Sequence, residues 1–438
     1  MKTMTTLRTL LLPLLLLTTA ACDGTTPTDP GGDPGPDEIP VPSAYVFDSR
    51  FESGTSSVSY PGQTVRNLLV QDLKIAISRL GTAGAEPITV QDLKNLYEYD
   101  DALDLSTLSD GGAAPAKEVR YSAISTGKSL KGGPIAEDVV IGYGKTTDEL
   151  MNEWFGVIAA NAQDPEKLGT PAVYTTDEGV DLSQMIEKVL HGAVAYQRGT
   201  GNYLANLLEQ PNAAAEPNQP FTKMEHYWDE AFGYFGAARD FGRYTDAQLA
   251  GSSQEFTFDS DGDGRIDFES EYNFAFAKGA GKRDSGGTGV DFTRDIFEAF
   301  LAGRTLIVNQ GTTQAIAAEA TKVSQTWEKI IAATVVHYIN DVLDDMATLT
   351  AEQVAAKNHT ALNTHWGELK GYAIGLQFNP AKLISTSQLE QFHSLVGNAP
   401  VYALPGSAAY DAAVEDLAAA KPILQEAYDF SDSNMANW

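Results

Sequence analysis

The chemistry-bearing residues of this sequence gather at two kinds of place, and the first is a pair of helical segments carrying imidazole and carboxylate together. Glu225-His226-Tyr227-Trp228-Asp229-Glu230 is one; His365-Trp366-Gly367-Glu368, followed by Tyr372, is the other. Residues three and four apart share a helix face, so His226 stands beside Asp229 and Glu230, and His365 beside Glu368. An imidazole nitrogen and a carboxylate oxygen so spaced can bind one metal ion, as inward-pointing Glu and His pairs do in helical bundles. Two such helices face to face would offer His226, Glu230, His365 and Glu368 as ligands, with Glu225, Asp229 and Tyr372 orienting them from behind. Nitrogen and oxygen donors of this kind suit iron, zinc or manganese better than copper(I). The bland alternative is a packed polar cluster in which Gly233 and Gly371 let helices approach. His191, His337, His359 and His393 have no comparable pairing in sequence.

The second place is Asp259-Ser-Asp261-Gly-Asp263-Gly264-Arg265-Ile266-Asp267-Phe-Glu269-Ser270-Glu271. Alternating carboxylates, a glycine at the sixth position and an apolar residue at the eighth form the first two-thirds of an EF-hand-type Ca2+ loop. Asp259, Asp261, Asp263, the Arg265 backbone carbonyl and Asp267 are the expected donors. Ser270 stands where the usual bidentate Glu would be, so Glu269 or Glu271 must substitute. A saturated oxygen cage leaves little for catalysis, and the expected role is to rigidify the segment.

Other chemistries lack their residues. Cys22 is the only cysteine, there is no HExxH, no G-x-S-x-G elbow, and the run at 279–289 lacks P-loop spacing. The 59 acidic against 30 basic residues give a net charge of −29. Such a surface repels phosphate backbones and disfavours nucleic-acid binding.

The N-terminus reads as targeting. Lys2 and Arg8 precede a Leu-rich run at 10–17 and Thr19-Ala20-Ala21-Cys22. That order is a signal peptide (residues 1–21) with a cleavage site ahead of a cysteine, and the run is too short to span a bilayer. The expected product is acylated at Cys22, held at the membrane through that lipid, with 28 basic against 59 acidic residues once Lys2 and Arg8 are removed. Residues 22–44, rich in Pro, Gly, Asp and Thr, then form a disordered tether.

The elements that must position these groups are helices. Apolar residues three and four apart mark 65–80, 182–194, 147–162, 222–237, 291–307, 313–347, 351–376 and 407–428, while strand-like alternation is confined to 43–49 and 138–142. The fold class is therefore all-α with long loops. An internal repeat organises it: W-x-E-x-x-G-Y occurs at 228–234 and 366–372, and Glu187-Lys188 and Glu328-Lys329 lie 43 and 40 residues upstream of the repeated glutamates. This predicts two helical-bundle halves related by duplication, 45–250 and 291–438, around an insertion at 251–290.

Residues 224–236 (MEHYWDEAFGYFG), 270–284 (SEYNFAFAKGAGKRD), 300–304 (FLAGR), 365–379 (HWGELKGYAIGLQFN) and 430–438 (FSDSNMANW) resemble a bacterial lipoprotein family known as domain of unknown function 4856, over nearly all of 45–438. More remotely, the His-x-x-acid helices are similar to the imelysins, lipid-anchored helical proteins with a Gly-x-His-x-x-Glu motif and a link to iron acquisition. Met224 and Asp229 replace the glycine and glutamate at the first site; Asn363 replaces the glycine at the second, and Glu368 keeps the acid. The resemblance implies an imelysin-like two-halved fold in the cell envelope, at the outer membrane with a periplasmic or surface face, beside an outer-membrane receptor or other iron-uptake lipoproteins. The leading expectation is a non-enzymatic metal- or ligand-binding lipoprotein with Ca2+ and Fe or Zn as ions. A metal-dependent hydrolase or peptidase, and a Ca2+-stabilised docking module, are the alternatives.

Overall fold

The computed structural model describes residues 38–132, 138–251, 254–286 and 289–438. Cys22, the signal segment and all of the tether before Glu38 lie outside the described residues. Residues Val41–Trp438 form one compact unit.

Fifteen α-helices run through the described residues: α1 Pro61–Arg79, α2 Val90–Tyr97, α3 Tyr121–Ile124, α4 Thr147–Asn161, α5 Leu182–Leu190, α6 Lys223–Phe235, α7 Asp246–Ala250, α8 Ala275–Asp284, α9 Phe292–Val308, α10 Thr313–Ala347, α11 Ala351–Ala356, α12 Thr360–Gly375, α13 Thr386–Val396, α14 Ala408–Tyr428 and α15 Asp432–Asn437. Among these residues there is no strand. The segments expected to alternate contribute only isolated bridges, Asp48 with Ser56 and Val139 with Thr146.

α10 is the axis. Its 35 residues span about 52 Å at 1.5 Å per residue, and α8, α9, α12, α14 and α15 all pack on it. The periodic apolar run that predicts 313–347 closes on the observed boundaries because Thr312 caps the first turn through Ala315 N. The expected helix 351–376 is instead two helices. Lys357 adopts φ 47°, which ends α11, and the His359 ring accepts Leu362 N to start α12. α5 continues without a break into a π-type helix over His191–Leu204. There Gly192 lies so close to Gly375 that a Cβ would stand 2.5 Å from the Gly375 Cα, which is what allows α12 to cross at backbone contact.

The expected division into two halves with an insertion does not describe this packing. α12, from the second half, packs on α5, from the first, and a single apolar core runs through both. The supposed insertion contributes α8 as a core helix, with Gly281 against Leu249 of α7. The two glutamates matched upstream of the W-x-E-x-x-G-Y motif have different surroundings: Glu187 pairs with Lys188, whereas Glu328 accepts Leu383 N, Ile384 N and the Tyr428 hydroxyl.

One polar cluster clamps the centre. Arg304 of α9 is fully buried and donates from Nε to Asp229 Oδ1 (2.8 Å), from Nη1 to Glu225 Oε1 (3.1 Å) and from Nη2 to Ser57 Oγ (2.8 Å). Tyr45 OH donates to the same Asp229 oxygen, and its ring stacks on Phe232 at 3.8 Å. Burial alone would pull the Arg304 pKa down, but Asp229 and Glu225 reverse this and hold it raised. Removing one member strands a buried charge. Asp229→Asn is expected to cost about 3–5 kcal/mol, read as a lower urea midpoint with an unchanged slope.

Candidate functional site

The residues expected to face one metal belong to separate neighbourhoods. On α6, His226 Nε2 is 3.5 Å from Glu230 Oε1, and the ring stacks on Phe221 at 4.6 Å. Glu230 accepts Gln63 Nε2 at 2.9 Å. Glu225 closes the capping box of α6, accepting Thr222 N, while binding Arg304 and Arg50. Asp229 belongs to Arg304. α6 packs on α1 and α9 and α12 on α5 and α10, and the π-type helix touches both. No three of His226, Glu230, His365 and Glu368 bring ligand atoms within 4.8 Å of one another. The four-ligand arrangement is corrected accordingly: helix spacing places His and Glu on a common face, but the two faces look at different partners.

Around α12 the geometry is richer than the sequence suggests. His365 Nδ1 is 2.8 Å from Asp345 Oδ2, and its Nε2 is 3.9 Å from Asp341 Oδ2. His337 Nε2 approaches that same Asp341 oxygen at 3.2 Å. Hydrogen bonding to Asp345 pushes His365 up; burial and the nearby Arg283 hold His337 down, to about 3. One turn along α12, Glu368 lies 3.5 Å from Lys188 Nζ of α5, which also meets Glu187 at 2.7 Å and the Tyr372 ring at 5.5 Å. Gly371 makes room: a Cβ there would stand 2.7 Å from the Lys188 Cβ. Tyr372 stacks on Tyr338 at 6.1 Å, and Tyr338 lies 6.0 Å from the His365 ring.

The far side of this seam is α8, which brings Lys278, Lys282 and Arg283. Burial pushes Lys278 down to about 8. The sequence analysis passed over His337, Asp341 and Asp345, although their H-x3-D-x3-D spacing places them on one face of α10; Lys188 and Arg283 carried no sequence signal beyond their charge.

The acidic loop brings three of its expected donors together. Asp259, Asp261 and Asp263 bring carboxylate oxygens within 4.8 Å of one another, the only such group among the described residues. Gly262 and Gly264 take φ of 76° and 81°, which turns the chain around that point. Asp259 accepts Gly262 N and Gly264 N, Asp261 accepts Asp263 N, and Asp263 accepts Arg265 N, each through one carboxylate. Ile266 pairs its backbone with residues 115–117, so Lys117 leans over the loop with Nζ 3.4 Å from Asp263, 3.9 Å from Asp261 and 4.0 Å from Asp267. Neither substitute for the twelfth donor points at the cage. Glu271 is buried and accepts Ser260 N, Asp261 N and Asp267 N from behind, and Glu269 pairs with Arg239 at 2.7 Å.

A cavity of about 800 Å³ lies elsewhere, between Val41, Tyr244, Phe297 and Leu301, and includes none of the predicted site residues. No described helix is long and apolar enough to cross a membrane. The sequence profile of the family described as Domain of unknown function (DUF4856) matches residues 42–354. No curated protein and no solved structure matches the chain.

α12 also buries Lys370 on its opposite side. Its Nζ donates to Gly397 O at 2.6 Å and lies 3.2 Å from His393 Nδ1, with no carboxylate partner, and burial pulls it from 10.5 to about 7. The folded chain therefore holds this proton less tightly than the unfolded chain. Stability from the neutral amine is complete above about 10.5 and falls away as pH drops through about 7. Lys370→Met is expected to raise stability at and below neutral pH, with the gain shrinking toward pH 10.5, as urea titrations across that range would show.

Proposed function

The chain belongs to the family of domain of unknown function DUF4856, and for it we propose the role of a lipid-anchored, non-catalytic binding protein of the cell envelope, braced by Ca2+. The ligand is received at the seam between α5, α8, α10 and α12. Membrane attachment rests on the lipobox at Cys22, and the iron-acquisition setting on the resemblance to imelysins. The single observation that carries the binding role is the concentration of ionisable side chains at this one seam. Lys188, Glu187, Glu368, His337, His365, Asp341 and Arg283 lie there together with shifted pKa values at several of them, a pattern characteristic of functional sites.

Ca2+ supports the seam from a distance. The free oxygens of Asp261, Asp263 and Asp267 surround the Lys117 ammonium, which stands where a cation is wanted and is itself largely exposed, so displacing it is cheap. Ca2+ should raise the melting temperature over a chelator control, by about 2.7 kcal/mol of stability at a hundredfold excess over Kd. Lys117→Met should tighten Ca2+ binding, and Asp261→Asn should weaken it. A melting curve indifferent to chelator would refute the assignment.

A second reading places Fe, Zn or Mn at the imidazole end of the seam. What favours it is that His337 and His365 both turn Nε2 toward Asp341 Oδ2, with Asp345 orienting His365 through Nδ1; the three ligand atoms do not all lie within 4.8 Å of one another and would draw in around the ion. Metal analysis of protein purified without chelator or nickel should find the ion in wild type and in a His226→Ala/Glu230→Ala double variant, and lose it in His365→Ala. Loss in the double variant alone would return the site to α6.

A further inference from the structure

Arg283 is the anomaly of the molecule. Only 7 % of its surface is exposed, yet among the described residues its Nε and Nη1 have no hydrogen-bond partner and no carboxylate lies within ion-pair distance of it. A buried guanidinium in that state costs several kcal/mol relative to one that is paired. The acids around it, Glu368 and Asp341, are already engaged, the first with Lys188 and the second with two imidazoles. Lys282 and Lys278, one and five residues earlier on the same helix, have no acidic partner among the described residues either. Lys278 instead rests its ammonium 4.2 Å from the Phe256 ring. In a chain of net charge −29, this end of the seam thus keeps cations unneutralised.

Resting on the binding role proposed above, we infer that Arg283 and Lys282 receive an oxyanion, a phosphate or carboxylate group carried by a small molecule. The planar guanidinium fork matches such a group with two parallel donors. Lys282 reaches it from solvent, and the stacked Tyr338 and Tyr372 form an aromatic wall against which the body of the molecule can lie. The anion supplies the two acceptors that the fold withholds from Nε and Nη1. A guanidinium kept only for structure would instead carry its own carboxylate.

The test is calorimetric and thermal titration of the full chain with inorganic phosphate and with citrate, each against chloride at equal ionic strength. Saturable binding and a raised melting temperature are expected with at least one probe, and which probe is tighter separates phosphate from carboxylate. Lys282→Gln, on an exposed side chain, should weaken binding several-fold. Arg283→Met should weaken it by about tenfold or more, the scale of a charge-assisted hydrogen bond, while leaving the ligand-free melting temperature unchanged or higher. Absence of binding by both probes, or equal binding in wild type and both variants, overturns the inference. If both anions fail while Zn2+ or Mn2+ binds in a His365-dependent manner, the anion assignment alone falls. If neither anion nor metal binds, the binding role of the seam falls with it.

Discussion

Everything in this fold is arranged around a charge that cannot leave. Arg304 is sealed in the core between Asp229, Glu225 and Ser57, and each of its three donor nitrogens has a fixed acceptor. Two segments distant in sequence, α6 and residues 45–59, supply those acceptors, so the register of α9 against both is set by directional bonds. Apolar packing alone tolerates sliding; a guanidinium with every nitrogen committed does not. The aromatic residues nearby, Phe232, Phe300 and Phe235, fill the space that this register defines.

Arg304 and Arg283 stand in contrast. Both guanidiniums are buried, but the first is saturated and the second is not. The same acidic composition that neutralises Arg304 of α9 leaves Lys278, Lys282 and Arg283 of α8 without carboxylate partners among the described residues. Saturated buried charge specifies a fold, whereas unsaturated buried charge is retained where something else completes it.

Much of the architecture was legible in the sequence. Helices such as 147–161, 313–347 and 408–428 announce themselves by apolar periodicity and by Thr or Ser caps. α8 was hidden because its glycines read as loop; their use is close packing, which only the neighbouring helix explains. The break at Lys357 left no sequence mark, since a left-handed lysine is a local choice made by tertiary contacts. The site shows the same limit. Spacing identified His365 and Glu368 as sharing a face of α12, but what they face was decided by Lys188 and Asp341 on other helices. The W-x-E-x-x-G-Y repeat misled for a related reason. Its glycines serve helix approach in both copies, at Tyr60 for Gly233 and at Lys188 for Gly371, so the similarity records packing and not a common pocket. The acidic loop was readable because its donors are local in sequence; its rear support by Glu271 was not.

The position of Tyr45 has a mechanical corollary. This residue follows the Pro- and Gly-rich leader, and it is fully buried, stacked on Phe232 and bonded to Asp229. Tension applied at the N-terminal end of the described residues would therefore reach the body at a side chain sealed in its core. A molecule pulled from that end should resist as a single block and yield abruptly, without first shedding a peripheral helix.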